Sequence, residues 1–190
     1  MRQYARFVCF FMLLFVVGCG ADGGDDADLG YEVIAAGEIG AGDEVPMSTG
    51  EPVLTVSGDI GSTNEADLLV LDMETLEKMR LVSYTLVDPF LETEVTYSGV
   101  LMSDLVEMLE IGDGATMIHM TALDDYAVDI SLADIEKWPI MLATKVDGEY
   151  LDIEAGGPIR IIYPYHVSDE LDPVEYNPLW IWQIETMEVK

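Results

Sequence analysis

One arginine stands in an otherwise apolar stretch, "GGPIRIIYP" at residues 156–164. Two glycines and a proline predict a turn, and the β-branched run that follows predicts a buried strand. A buried guanidinium needs a partner, because leaving it unpaired costs several kcal/mol. Arg160 could therefore hold an anionic ligand, or it could pair with a carboxylate of the chain, for instance Glu154 or Asp125. The large excess of acidic residues favours the carboxylate.

Other residues that could do chemistry are few. The chain has two histidines, His119 in "TMIHMTA" and His166 in an acidic loop, and this number does not predict a dedicated zinc site. No Ser-His-Asp or Ser-x-x-Lys arrangement can be recognised that would activate a nucleophile. Trp180 and Trp182 alternate with Ile181, a pattern that predicts core packing or, alternatively, the mouth of a pocket.

The N-terminus predicts a lipoprotein signal peptide over residues 1–18. Arg2 and Arg6 precede an apolar run of 11 residues, Phe7 to Val17, which is too short to span a bilayer. Cys19 follows Gly18 directly, as in a bacterial lipobox, where cleavage precedes a cysteine that is then lipidated. Two or more acyl chains give a stable anchor. We therefore expect membrane lipid to hold the mature protein through Cys19.

Cysteine usage and charge limit the function further. The two cysteines are Cys9, which leaves with the signal, and Cys19, so the mature domain has no thiol for a disulfide, a nucleophile or a metal. Without residues 1–18 the chain keeps 6 basic and 37 acidic residues, a formal charge of −31. Such a surface repels nucleic acid, and no nucleic-acid partner is expected.

The remaining chain divides by composition at residue 50. Residues 19–50 contain eight glycines, eight acids and no lysine or arginine, which predicts a flexible acidic linker outside the fold. Residues 51–190 mix alternating strand patterns with short helical patterns, which predicts one mixed α/β (α+β) domain.

Several short motifs within residues 51–190 predict where helices begin or end and where a hairpin turns. Asp72 predicts a helix N-cap, and "SLADIEKW" a second capped helical turn. Ser103 and Gly112 predict the start and the end of a helix in "SDLVEMLEIGDG". Asp147-Gly148 predicts the turn of a hairpin.

The order of these pieces resembles the molybdopterin-binding domain of the sulfite oxidase-type oxidoreductases. The resemblance covers roughly residues 52–189, and it is carried by "LTVSGDI", "YSGVLMSDLVEML", "ALDDYAVDI", "MLATKVDGEYLDIEAGGPIRIIYP" and "LWIWQIETMEV". It implies the sulfite oxidase-like mixed α/β fold, with a pterin–molybdenum pocket at one end of the sheet.

The resemblance also implies site residues. Arg160 matches the family arginine that helps to hold the pterin, and Asp125 and Tyr126 lie in the matching turn. The family's metal-ligating cysteine belongs to a Cys-x-Gly-Asn-like motif that follows the strand before "YSGV". Here that stretch is "RLVSYTLVDP", which contains no cysteine. Ser83 and Tyr84 lie near the position of the family cysteine and are the candidates for its role. A hydroxyl is a poor replacement for a soft thiolate.

These observations lead to a functional hypothesis. The chain is expected to be a lipid-anchored protein of the cell envelope, in the outer rather than the inner membrane, since Gly20 and not Asp follows Cys19. Its domain is expected to be non-catalytic and to bind a small ligand or an envelope protein. The alternative is an active molybdopterin-dependent oxidoreductase with oxygen-only metal ligation, so the resemblance leaves enzymatic activity open. No cofactor is expected, although the resemblance allows molybdopterin and molybdenum. A purely structural envelope module is a third interpretation.

Overall fold

The computed structural model describes residues 30–190, which form two β-sheets and four short helices. The strands are β1 (Glu32–Ala35), β2 (Pro52–Gly58), β3 (Leu69–Asp72), β4 (Leu81–Val87), β5 (Glu94–Leu101), β6 (Met117–Ala122), β7 (Ala127–Ser131), β8 (Met141–Val146), β9 (Glu149–Tyr150), β10 (Arg160–Ile162) and β11 (Ile184–Val189). The helices are α1 (Met73–Leu76), α2 (Met102–Leu109), α3 (Leu132–Lys137) and α4 (Pro173–Tyr176), and a 3-10 turn follows at Asn177–Leu179.

The two sheets have different topologies. The first has the order β1-β4-β5-β8-β10, with β9 paired to β8, and all its pairs are antiparallel. The second has the order β3-β2-β11-β6-β7, and there β11 runs parallel to β2 but antiparallel to its other neighbour. Two sheets with few helices confirm the predicted mixed α+β fold.

Period-2 alternation explains the strands. In β4 the buried residues are Val82, Tyr84 and Leu86, and the residues between them are more exposed, so one face of the strand turns to the core. In β8 and β10 the pattern is almost continuously apolar, and these strands are buried on both faces. Apolar residues of both sheets form one core.

Local signals were reliable where a side chain meets its own backbone. Asp72 caps α1 by accepting a hydrogen bond from the Thr75 N–H, and Ser131 caps α3 through the Asp134 N–H. Asp147 and Gly148 both have positive φ, as a tight hairpin between β8 and β9 requires. These three predictions are confirmed.

The predicted bounds of α2 were wrong. The helix begins at Met102 rather than after a Ser103 cap, and its N-cap position, Leu101, makes no side-chain hydrogen bond. It ends at Leu109 rather than at Gly112, and Glu110 follows it in the left-handed conformation. The Met102 N–H instead donates to the Ile140 carbonyl, so tertiary contact replaces the missing cap.

Gly99 in β5 is required by the neighbouring strand. A Cβ on this residue would lie 2.2 Å from the Leu142 carbonyl oxygen and 2.7 Å from the Ala143 Cα. The register between β5 and β8 also shifts at Gly99, which marks a bulge.

The linker prediction is wrong for residues 31–50. Strand β1 pairs with β4, and Tyr31 and Val45 are only 7% and 5% exposed within the core. The backbone N–H groups of Thr49 and Gly50 donate to the Asp72 carboxylate at 2.9 and 2.7 Å. Glycines and acids dominate the composition of this segment, so the few apolar residues that pack it against the domain do not stand out in the sequence.

The predicted signal peptide, the lipidated Cys19 and the first part of the linker lie outside the described residues. None of the helices within residues 30–190 combines the length and the apolar character that a membrane-spanning helix requires.

Candidate functional site

Arg160 lies at the start of β10, opposite Ala143 of β8, and its side chain is 5% exposed. Its Nη2 donates to Asp88 Oδ2 at 3.3 Å and to the Tyr97 hydroxyl, and its Nη1 donates to the Ala155 carbonyl at 3.4 Å. The Tyr97 hydroxyl in turn donates to Asp88 Oδ2 at 2.6 Å. These three side chains, Arg160, Asp88 and Tyr97, form a buried triad.

Asp88 also organises the loop that follows β4. Its Oδ1 accepts the backbone N–H groups of Phe90 and Leu91 at 2.7 and 2.9 Å. Its own N–H donates to the Thr93 carbonyl. The carboxylate therefore has four donors and is 1% exposed, which is the satisfaction that a buried charge requires.

Aromatic rings enclose the guanidinium. Its central carbon lies 4.7 Å from the Tyr97 ring centre and 5.3 Å from that of Trp182, distances at which a cation attracts a π face. Burial, together with the hydrogen bond to Asp88, raises the pKa of the Tyr97 hydroxyl well above its usual value. Tyr97 therefore stays protonated and keeps donating to Asp88.

The expected ion pair of Arg160 is thus present, but with a different partner. The sequence suggested Glu154, which is close to Arg160 in the chain, or Asp125, which lies in the turn that matches the family. Asp88 is 72 residues away in sequence and reaches Arg160 because β4 and β10 belong to one sheet.

Ser83 and Tyr84 lie inside β4, not after it. Ser83 stands between Glu32 of β1 and Ser98 of β5. The buried Tyr84 donates its hydroxyl to the Ile162 carbonyl at 3.0 Å, and burial raises its pKa. The residues that do follow the strand are Asp88 and its loop. A cofactor role for Ser83 and Tyr84 stays a prediction.

Asp125 and Tyr126 form the turn between β6 and β7, as expected. Asp125 has a φ of 66°, and its N–H donates to the Ala122 carbonyl. Tyr126 is 48% exposed, and its hydroxyl donates to the Pro178 carbonyl at 2.8 Å. The turn geometry explains both residues, and their proposed contact with a cofactor remains untested.

The histidines have structural partners. His119 Nδ1 lies 2.7 Å from Asp129 Oδ1 across β6 and β7. His166 Nε2 lies 2.6 Å from the Gly30 carbonyl, and its ring packs on Tyr84. No cluster of three or more His, Cys, Asp or Glu side chains suited to a metal ion occurs in the described part of the chain.

A cavity of about 490 Å³ opens beside the buried triad. We call it the aromatic cavity; it is lined by Phe90, Ala122, Asp124, Tyr126, Asn177, Pro178, Trp180, Trp182 and Gln183. Phe90 meets Trp182 nearly edge-on, with ring centres 5.5 Å apart at 81°, and it meets Trp180 at 5.9 Å and 66°. Trp180 stacks on Tyr165 behind it. The lining contains one carboxylate and no basic side chain.

Sequence reasoning missed three residues of this region: Asp88, Phe90 and Tyr97. A signal existed for Asp88, because it follows a strand directly and precedes a proline, at the place where the family's motif is expected. Phe90 and Tyr97 carried no comparable signal, since a strand tyrosine and a loop phenylalanine are common.

The residues present do not fit the molybdenum–pterin group that the resemblance implies. Residues 30–190 contain no cysteine, and the loop after β4 offers a carboxylate that is already saturated. Arg160 is neutralised by Asp88, so it does not present its charge to a phosphate. The adjoining aromatic cavity has no lysine or arginine in its lining. We therefore derive no catalytic step through this group.

Comparison with known proteins agrees with the resemblance. The family model of the oxidoreductase molybdopterin binding domain matches residues 73–170. No curated protein sequence matches the chain significantly.

Among solved structures, the fold is similar to that of the sulfane dehydrogenase SoxCD from Paracoccus pantotrophus, with a TM-score of 0.54 and 16% identity. The similarity covers 72% of this chain and 37% of that one, so the chain spans little more than a third of the length of that protein. At this identity the likeness supports the fold alone. The matched family region contains the β4 loop and Arg160, and the chain belongs to the oxidoreductase molybdopterin-binding domain family.

Proposed function

We propose that this chain is a lipid-anchored protein of the cell envelope whose molybdopterin-binding-type domain is non-catalytic and binds a ligand or a protein partner. One observation carries the non-catalytic part. The arginine that matches the family's pterin-binding residue is buried and neutralised within the chain by Asp88 and Tyr97.

An anionic cofactor that took the place of Asp88 at the Arg160 Nη2 would break this buried pair. Separating a buried pair leaves at least one unpaired charge, at a cost of about 3–5 kcal/mol. That cost corresponds to about two to three and a half orders of magnitude in affinity. It would also release the N–H groups of Phe90 and Leu91, which hold the loop on Asp88.

The binding role rests on the aromatic cavity. It adjoins the triad through Trp182 and is large enough for a small organic molecule. Three of its aromatic residues remain substantially exposed: Phe90 at 47%, Tyr126 at 48% and Trp182 at 38%. Exposed aromatic side chains gathered around one concavity are typical of recognition sites.

The localisation rests on the sequence before the described region. If Cys19 is the anchor, residues 20–29 are the only span between it and the first described residue. An extended chain of that length reaches about 40 Å at most. Because residues 31–50 pack on the domain, they add no further length to this span, and the domain would lie close to the bilayer. We propose that this bilayer is the outer membrane.

Elemental and cofactor analysis of the purified chain, expressed in a molybdenum-replete host, tests the proposal. A family member with the cysteine ligand, expressed in parallel, controls for cofactor supply. We expect far less than one molybdenum per chain. Stoichiometric molybdenum in the purified chain would overturn the proposal and favour the alternative, an active oxidoreductase with oxygen-only ligation.

A further inference from the structure

The aromatic cavity combines aromatic rings with a carboxylate. Phe90 and Trp182 stand almost perpendicular and form one corner, and Tyr126 lines the same cavity. Asp124 is the acidic member of the lining, and one of its oxygens accepts the Tyr126 N–H at 3.1 Å. Aromatic faces beside a carboxylate attract cations, and they do so most strongly for cations that are weakly hydrated.

The net charge of the chain also favours a cationic ligand. The chain has a formal net charge of −29, and such a field concentrates cations at the surface. The nearest buried cation, Arg160, does not oppose this because Asp88 compensates it. An anionic ligand would find a carboxylate, aromatic rings and the amides of Asn177 and Gln183 in the lining, but no basic side chain.

We propose that the aromatic cavity binds an organic cation of the quaternary or methylated ammonium class. Such a cation sheds its water easily and has the size of a few heavy atoms, so it fits a cavity of about 490 Å³ with room for a polar tail. This inference rests on the proposed function, because it names the ligand class of that binding domain.

The neutral isostere provides a direct test. Choline and 3,3-dimethyl-1-butanol have nearly the same shape, and only choline carries a charge. Saturation-transfer NMR and tryptophan fluorescence of the purified full-length chain measure the binding of both. We expect choline to bind at least about fivefold more tightly than the alcohol, as cation–π contacts in a partly desolvated site imply. Equal binding of the two probes, or no choline binding up to about 20 mM, would overturn the inference.

Matched variants locate the site. Asp124→Asn should weaken choline binding several-fold, whereas Asp113→Asn makes the same change in net charge at an exposed residue outside the cavity lining and should not. Tyr126→Leu should weaken binding, and Tyr126→Phe, which keeps the ring, should retain it. Equal effects of the two aspartate variants would refute a local role for the cavity.

The outcome is separable from that of the proposed function. Choline binding is measured directly and does not depend on the molybdenum content. A chain without molybdenum that fails to discriminate between the probes would refute the ligand class alone, and stoichiometric molybdenum would refute the non-catalytic proposal alone.

Discussion

Removing the charge of Arg160 should destabilise the domain strongly, because its partner Asp88 stays buried. In Arg160→Met, the Asp88 carboxylate loses its counter-charge but keeps three donors: the N–H groups of Phe90 and Leu91 and the Tyr97 hydroxyl. Breaking a buried ion pair from one side costs about 3–5 kcal/mol. Because three hydrogen bonds remain, we expect the lower end, about 3 kcal/mol.

The opposite variant should cost more. In Asp88→Asn, the side-chain oxygen can still accept the loop N–H groups, but the guanidinium is left with the Tyr97 hydroxyl and the Ala155 carbonyl and has no anion. We expect the upper end of the range, about 4–5 kcal/mol. The double variant should be less damaging than the sum of the two, with a coupling energy of about 2–3 kcal/mol.

Urea unfolding followed by circular dichroism measures these differences, provided that the slope with denaturant stays constant. For a domain of this size, 3 kcal/mol corresponds to a fall in melting temperature of about 6–12 °C. Lys137→Met is the control, since the Lys137–Glu170 pair is exposed on both sides and its loss should change the midpoint little. A value for Arg160→Met within about 1 kcal/mol of the unaltered protein would refute the reasoning and indicate that the guanidinium is kept for a ligand.

Three further predictions follow from other parts of the chain. Asp72→Asn should lower stability at pH 7, because hydrogen bonds from Thr75 and from the N–H groups of residues 49 and 50 lower the Asp72 pKa. This stabilisation is present above the unfolded-state pKa of 3.8 and is lost as the pH falls below that value. The urea midpoints of the variant and the unaltered protein should therefore converge in acid, and a constant gap between them would contradict the assignment. Gly99→Ala should lower the free energy of unfolding in urea by about 1–3 kcal/mol, because the added methyl group meets the backbone of β8. Gly114→Ala is the control and should be near neutral, because open space surrounds that residue. Equal effects of the two variants would argue against the close approach of β5 and β8. Cys19→Ser should move the protein from the detergent phase to the soluble fraction or leave it unprocessed, and mass spectrometry that finds an unmodified Cys19 in the mature chain would exclude the anchor.

Periodicity and short-range chemistry in the sequence determined most of the elements. The alternation of apolar residues in β4 and β6, the capping side chains Asp72 and Ser131, and the Asp147-Gly148 turn each depend on neighbours within a few residues. Such signals can be read without knowing the fold. The order of the pieces was specific enough to identify the family.

The tertiary structure decided what depends on distant residues. The sequence required a partner for Arg160, but a chain with 37 acids offers too many candidates, and only the pairing of strands in one sheet selects Asp88. Residues 31–50 have the composition of a linker, yet Tyr31, Val45 and β1 find apolar surface and an open strand edge that other parts of the chain create. The end of α2 at Leu109 and the need for Gly99 have the same origin. Contacts between residues far apart in sequence leave no periodic trace, because their energy depends on which surfaces the folded chain brings together.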